Sequence, residues 1–278
     1  MNYVDSHVHV WSDDFQRYPF SPNTRREEMA LREFLPRQIL AHARASGVDR
    51  IVLIQMSYYG TDNQYMLDVI AESPDIFRGV AIIDPRMKAV EEEMKRLAGK
   101  GARGFRITIT SPEAAARLSE GAFDVMFRQG AALGLAICPL INPEFLPVLE
   151  KVVARFPETP VIVDHLARLG ISGEIRQEDV NQLCYLSQYP EVRVKVSAFY
   201  ALGQKQPPHL DLAPTIKQVF EAYGPQRLMW ASDCPFQILN EPYEASIALI
   251  REHLDFLSAE DREWILRKTA EEFFFKRG

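Results

Sequence analysis

The chain has 278 residues, of which 47% are hydrophobic and 25% are charged, so its composition is that of a globular protein rather than a disordered or collagen-like chain. Its 32 lysines and arginines against 38 aspartates and glutamates leave a formal charge of -6, which excludes the broad basic surface that nucleic-acid binding requires. Three scattered cysteines without a Cys-x-x-Cys pair exclude a disulfide framework and indicate a reducing, cytoplasmic location.

Short β-branched runs alternate with longer helical patterns from one end of the chain to the other. The eight predicted strands cover residues 3–10, 50–55, 78–83, 102–107, 135–139, 160–164, 192–196 and 227–231. The predicted helices, with apolar residues at helical spacing, cover residues 35–46, 63–73, 89–97, 123–133, 143–156, 177–188 and 213–223. Strict alternation of strand and helix predicts parallel strands joined by crossover helices.

The count of eight strands predicts a (β/α)8 TIM barrel. Dividing 278 residues by eight leaves about 35 per unit, close to the ~30 that a βα unit of such a barrel needs. No linker or internal repeat divides the chain, so residues 1–278 are predicted to form a single domain. An open doubly wound sheet is the alternative, but its usual nucleotide motifs, G-x-G-x-x-G and G-x-x-x-x-G-K-[ST], are missing from the sequence.

Three irregular segments, residues 11–34, 171–177 and 200–212, each follow a predicted strand. In a barrel they are expected on the C-terminal face, where loops build the active site. The longest apolar stretch, near residues 133–141, is far shorter than the ~20 residues of a membrane span, and the first residues do not resemble a signal peptide. We therefore expect a small-molecule substrate and neither a membrane nor a nucleic-acid partner.

Four polar residues follow or end strands of the predicted barrel. His7 and His9 lie two apart in strand one, so their side chains project from the same face. His165 follows strand six and Asp233 follows strand eight, which brings all four to the same mouth. This set predicts either one divalent ion at most, with Zn²⁺ favoured, or a metal-free site that activates a water. Both alternatives stay open.

Three basic residues are candidate substrate contacts. Arg106 and Arg168 follow strand positions from which a guanidinium group can bind a carboxylate with two hydrogen bonds, although structural ion pairs are the alternative for both. Lys195 alternates with Ser197 on one face of strand seven, and a lysine that points into the mouth needs an anionic partner. Lys195 is therefore predicted to bind substrate as well.

Other reactive residue types have structural interpretations. Cys234 adjoins Asp233, but no basic partner for a thiolate is evident, so it is not predicted to be a nucleophile. His42, His209 and His253 have no evident partner and are predicted to be structural. The phenylalanines of residues 273–275 are predicted to lie on a final helix that covers the barrel floor.

Five segments of the chain, DSHVHVW, GFRI, VDHLARLG, KVS and MWASDCPF, occur in an order that resembles the amidohydrolase superfamily. The resemblance is to its amidohydrolase 2 branch of TIM-barrel lactonases and decarboxylases. The run QMSYYGTDN of residues 55–63 is similar to a loop of the 2-pyrone-4,6-dicarboxylate lactonase and sugar-lactonase group. Residue by residue, the resemblance implies these roles: the scissile carbonyl lies among His7, His9 and His165, Asp233 is the general base for the hydrolytic water, and Ser57, Arg106 and Arg168 contact substrate.

The chain also departs from these relatives. Strand four has no Lys or Glu at its end and strand five has no His, so a binuclear metal centre is not expected. Residues 108–110 read Thr-Ile-Thr where the dicarboxylate lactonases carry a further basic residue. This departure argues against a pyrone substrate with two carboxylates.

The sequence therefore predicts a hydrolase that opens a small lactone bearing a carboxylate or hydroxyl groups. A metal-dependent decarboxylase of an aromatic or enoic acid is the alternative within enzymes. A catalytically silent ligand-binding barrel is the alternative from another class, although a silent scaffold has no physical need for four buried polar groups at one mouth. The sequence makes no prediction of the substrate's identity or of the oligomeric state.

Overall fold

The computed structural model describes residues 2–276, in which eight parallel strands form one sheet with consecutive strands adjacent. The strands are β1 (Tyr3–Val8), β2 (Val48–Ile54), β3 (Phe77–Ala81), β4 (Ala102–Ile109), β5 (Ala136–Ile141), β6 (Val161–Val163), β7 (Val192–Ser197) and β8 (Leu228–Ala231). A parallel bridge between Val8 and Cys234 joins the first strand to the segment after the last. The predicted (β/α)8 barrel is confirmed.

Helices connect the strands around the outside of the barrel. They are α1 (Pro36–Ala45), α2 (Gln64–Glu72), α3 (Val90–Gly99), α4 (Pro112–Ser119), α5 (Asp124–Leu133), α6 (Leu146–Arg155), α7 (Gln177–Tyr185), α8 (Ala213–Tyr223), α9 (Tyr243–Ala248) and α10 (Ala259–Glu263). The sequence analysis did not predict α4, α9 or α10, although the start of α4 carries two ordinary signals. The Ser111 side chain accepts a hydrogen bond from the Ala114 N–H (3.3 Å), and Pro112 occupies the first turn.

Side chains inside the barrel form a core separate from the one between strands and helices. It consists of Val4, Val52, Ile54, Val80, Ala136, Cys138, Ile162, Met229, Ala270, Phe273 and Phe274. Phe273 and Phe274 belong to the π-helical turn Glu271–Phe275 at the end of the chain, so this turn closes the barrel floor as predicted. With its floor filled by these side chains, the barrel opens at the C-terminal ends of its strands.

Hydrogen bonds of Asp5 help close the barrel between β1 and β8. Its buried carboxylate accepts from the Ser232 N–H (2.9 Å), the Ser232 hydroxyl (2.5 Å) and the Tyr243 hydroxyl (2.8 Å). Burial raises the pKa of Asp5 to about 6, although these hydrogen bonds act in the opposite direction. The Asp233 N–H donates to the His7 carbonyl (3.0 Å), so closure places the ends of the first and last strands side by side.

Two strand boundaries differ from the prediction in ways that affect the mouth. β1 ends at Val8, so His9 lies just past the strand, while β4 continues to Ile109. β4 therefore carries Thr108 up to the mouth. Within residues 2–276, no helix combines the length and the apolar character that spanning a membrane requires.

Candidate active site

A cavity of about 470 Å³ opens at the C-terminal ends of the strands, a size typical of small-molecule sites. Its wall includes six of the residues predicted from the sequence: His9, Ser57, Arg106, His165, Arg168 and Asp233. Further lining side chains are Gln55, Met56, Ile82, Thr108, Thr110, Leu140, Ile171, Tyr200, Leu202 and Phe236. His7 and Lys195 are fully buried and are not among the lining residues.

A left-handed backbone turn places two of these side chains on the cavity. Residues 165–168, which follow β6, have φ angles of 54, 50, 52 and 60° although none is glycine. Such a conformation costs roughly 1–2 kcal/mol per residue. The Ala167 N–H donates to the Asp164 carbonyl (3.0 Å), and Leu166 and Ala167 are buried, which fixes the turn. His165 and Arg168 therefore both face the cavity from one short segment.

Three imidazoles surround one oxygen of Asp233. Its Oδ1 lies 3.4 Å from His9 Nε2, 3.5 Å from His7 Nε2 and 3.7 Å from His165 Nε2. Burial by itself raises the pKa of Asp233, but the three neighbouring histidines outweigh it and hold the pKa below its ordinary value. The carboxyl group is therefore ionised, as a general base must be.

The partners of two imidazoles indicate which nitrogen carries the proton. His9 Nδ1 lies 3.0 Å from the Ile54 carbonyl, which can only accept, so this nitrogen donates. His165 Nδ1 lies 2.8 Å from Ser197 Oγ, whose own hydroxyl donates to the Lys195 carbonyl (3.5 Å). Burial lowers the pKa of His165 to about 4, so this imidazole is neutral near pH 7. Its Nε2 lone pair is thus directed towards Asp233.

A buried ion pair lies behind His7. Lys195 Nζ is 2.9 Å from Asp164 Oδ1 and 3.2 Å from His7 Nδ1, and His7 Nδ1 is 3.3 Å from the same carboxylate oxygen. Burial alone raises the pKa of Asp164, but Lys195 and His7 outweigh it and hold the pKa well below its usual value. Burial and then the charge of Lys195 lower the pKa of His7, which stays neutral. Contrary to the expectation from the sequence, Lys195 is engaged here and does not reach the cavity.

The two arginines of the cavity have different surroundings. Arg106 Nη1 lies 3.2 Å from His7 Nε2 and its Nε lies 3.9 Å from Asp164, so this guanidinium group is directed inward. Arg168 donates to the Asn142 side chain, a neutral partner. With Asp233, these are the charged side chains among the described residues that line the cavity, and their sum is positive when the histidines are neutral.

The donor set fits one metal ion. Ligand atoms of His7, His165 and Asp233 all lie within 4.8 Å of one another, and within residues 2–276 no other group of His, Cys, Asp or Glu meets this condition. His9 adds a fourth donor beside Asp233. A metal-binding histidine generally uses the N–H of its other ring nitrogen to donate a hydrogen bond to a carbonyl or another acceptor. The Nδ1 atoms of His9 and His165 make such hydrogen bonds here. Two nitrogens and one oxygen match the preferences of Zn²⁺.

The sequence analysis missed several polar residues of this region. Asp164 precedes His165 at the end of a buried strand, a placement that could have identified it. Tyr200, whose hydroxyl donates to Asp233 Oδ2 (2.7 Å), lies in an irregular segment without any such signal. His209 does have a partner, since its Nε2 lies 2.7 Å from the buried Glu241 and joins the loop after β7 to the one after β8. Burial raises the pKa of the Cys234 thiol, which agrees with a structural role.

Comparisons with known proteins agree with this architecture. The model of the amidohydrolase family matches residues 4–276. The L-fucono-1,5-lactonase of Burkholderia ambifaria is 24% identical over 233 residues, covering 84% of this chain and 80% of its own. The 2-pyrone-4,6-dicarboxylate hydrolase of Comamonas testosteroni is 25% identical over 252 residues, covering 86% and 78%. A solved Pseudomonas putida structure, provisionally named a 2-pyrone-4,6-dicarboxylic acid hydrolase, has a TM-score of 0.80 at 25% identity, covering 98% of this chain and 97% of its own.

Replacing Lys195 with methionine is expected to lower the free energy of unfolding by about 3–5 kcal/mol, because it leaves the Asp164 carboxylate buried without its ammonium partner. Urea unfolding of the purified variant measures this change. Lys217→Met is the matched control, since Lys217 is exposed and pairs only with Glu221 at 3.9 Å. The control is expected to change stability by less than about 0.5 kcal/mol. Equal stability of both variants would contradict the assignment of a buried, stabilising ion pair.

Proposed function

Because the chain belongs to the amidohydrolase family, we propose that it is a hydrolase that opens a small cyclic ester, a lactone. The observation that carries this proposal is the ionised Asp233, set among three imidazoles on the wall of a cavity of small-molecule size. The lactonase and hydrolase names of the relatives support the reaction class. A lactone also suits the site because its hydrolysis needs one base, one water and a stabilised oxyanion.

Asp233 is the general base in this proposal. It takes a proton from the attacking water, and its depressed pKa keeps it ionised at neutral pH. The Nε2 lone pairs of His9 and His165 lie on the same side of this carboxylate, so in the metal-free site they accept the remaining hydrogen of the water and orient it. The carboxylate and the imidazoles therefore hold the hydrogens of the water, so that its oxygen is directed at the carbonyl carbon.

Arg106 stabilises the negative charge that develops on the carbonyl oxygen. Its guanidinium group lines the cavity and lies 3.2 Å from His7, next to the base. The contacts with His7 and Asp164 hold this group in place before the substrate binds, which is the condition under which charge stabilisation is most effective. His7 and Lys195 act from behind the cavity wall as positioning residues.

One divalent ion, with Zn²⁺ as the favoured identity, completes the proposed site. His7, His165 and Asp233 would hold it, with His9 as a fourth donor, and when bound it supplies Lewis acidity for the carbonyl. The described residues do not provide the further ligands that a second ion would need.

Arg168 binds a carboxylate of the substrate. Its neutral partner Asn142 leaves its charge uncompensated, whereas Arg106 is directed towards Asp164. A single free guanidinium group suits one carboxylate, and the threonines at positions 108 and 110 offer hydroxyl groups rather than further charge. The substrate class is therefore a lactone with one carboxylate, with hydroxyl groups that the polar lining can bind.

The replacement of Asp233 by asparagine tests the reaction itself. We expect kcat to fall by at least about 100-fold, because the amide keeps the shape of the carboxylate but cannot accept a proton at neutral pH. Lactone opening is followed with a pH indicator, and thermal unfolding checks that the variant is folded. Asp255→Asn, at an exposed carboxylate outside the cavity, is the control and keeps its activity. Wild-type turnover in Asp233→Asn would contradict the assignment of Asp233 as the general base.

If the native protein opened no lactone but released carbon dioxide from aromatic acids, the decarboxylase alternative would replace the proposal.

Arg168→Lys tests the substrate class. Lysine keeps the charge but lacks the planar pair of donors, so KM for a lactone bearing a carboxylate is expected to rise by about tenfold or more. KM for the neutral methyl ester of the same lactone is expected to change little. Steady-state kinetics with both compounds decide the matter, and equal effects on the two would show that Arg168 does not bind the carboxylate.

Elemental analysis tests the metal content. Protein purified without chelator is expected to hold no more than one equivalent of divalent metal per chain, because the described residues form one ligand group. Treatment with a chelator should remove the ion and lower lactone hydrolysis, and added Zn²⁺ should restore it. Two tightly held equivalents would overturn the ligand assignment, and full activity without metal would show that the side chains suffice.

A further inference from the structure

Tyr200 brings a hydroxyl group to the second oxygen of the base. It lies in the turn Phe199–Ala201 after β7, which begins at Ala198, a residue with a φ of 56°. The side chain lines the cavity, and its hydroxyl donates to Asp233 Oδ2 at 2.7 Å. Asp233 Oδ1 faces the imidazoles, so the two oxygens of this carboxylate have different tasks.

The Tyr200 hydroxyl keeps its proton. A tyrosine hydroxyl has an ordinary pKa of about 10, so near pH 7 it carries a proton that it can donate. Other hydroxyl groups line the cavity at Ser57, Thr108 and Thr110, but among the described residues Tyr200 is the lining hydroxyl that bonds to the base.

Lactone opening needs such a donor. When the acyl–oxygen bond breaks, its electron pair moves to the ring oxygen, and an alkoxide is far too basic to leave efficiently without a proton. The other lining groups are poorly suited to supply it. The Nδ1 protons of His9 and His165 are held by Ile54 and Ser197, and guanidinium groups do not give up protons. Asp233 acquires its proton at Oδ1, which faces the imidazoles, whereas its Oδ2 accepts from Tyr200.

We propose that Tyr200 is a catalytic residue that donates the proton to the leaving ring oxygen, in a relay with Asp233. Asp233 takes one proton from the attacking water, which removes its negative charge and weakens its hold on the Tyr200 hydroxyl. The hydroxyl gives its proton to the ring oxygen as the acyl–oxygen bond breaks. Rotation of the protonated Asp233 carboxyl group then brings its proton to the Tyr200 oxygen and restores the hydroxyl. Water and lactone become a hydroxy acid, and both side chains return to their starting states. This inference rests on the proposed lactone hydrolysis.

The test compares two carboxylate-bearing δ-lactones that differ in their leaving group. One is a saturated alkyl lactone, which releases an alkoxide, and the other is a dihydrocoumarin, which releases a phenolate that leaves without help. Tyr200→Phe is expected to lower kcat for the alkyl lactone by about 100-fold or more and kcat for the dihydrocoumarin by less than about threefold, because only the alkoxide requires a general acid. Tyr223→Phe removes another buried tyrosine hydroxyl, which bonds to the Leu183 carbonyl outside the cavity, and is the control.

Each outcome bears on a separate claim. Equal losses for both lactones in Tyr200→Phe would show that Tyr200 only positions Asp233, and no loss for either would remove it from the mechanism. If native protein opened neither lactone, the proposed function itself would fail. Should Tyr200→Phe not fold, a series of substituted lactones on the native protein replaces it. A rate that depends weakly on leaving-group basicity supports the relay, and a steep dependence overturns it.

Discussion

Closure of the barrel between β1 and β8 is the constraint on which the rest of the site depends. His7 and Asp233 are far apart in the chain, and they meet because the Asp233 N–H donates to the His7 carbonyl. The Asp5 carboxylate supports this closure with three hydrogen bonds from Ser232 and Tyr243. An open sheet of the same strands would separate the imidazoles of His7 and His9 from Asp233, which follows β8.

Charge inside the barrel is arranged in two layers. The deeper layer pairs Lys195 with Asp164, and burial together with the charge of Lys195 holds His7 neutral. The layer at the cavity contains Asp233, Arg106 and Arg168, whose charges leave a positive excess when the histidines are neutral.

Backbone strain concentrates at the same end of the barrel. Residues 165–168, Ala198 and Asp233 have positive φ angles without being glycine, and they follow β6, β7 and β8 respectively. Each such residue costs on the order of 1 kcal/mol, which surrounding packing must offset. The turns that result direct His165, Arg168 and Tyr200 to one cavity, so the strain coincides with the positions where function requires unusual side-chain directions.

The sequence by itself determined the barrel and much of its mouth. The spacing of apolar residues along the chain distinguishes strands from helices, so all eight strands could be predicted. The C-terminal ends of these strands then pointed to His7, His9, His165 and Asp233 as candidate site residues. Only the tertiary structure decided which of these groups reach the cavity. Lys195 was expected at the mouth but is buried against Asp164, because its side-chain direction depends on a partner from a neighbouring strand.

Tyr200 and the His209–Glu241 pair could not be predicted at all, since they lie in irregular loops whose conformation depends on long-range contacts rather than on any repeating pattern. The left-handed turn at residues 165–168 could not be predicted either, because the types of these four residues do not favour it over an ordinary turn. Local periodicity thus determines where the strands end, and contacts between distant segments determine what the side chains beyond those ends do.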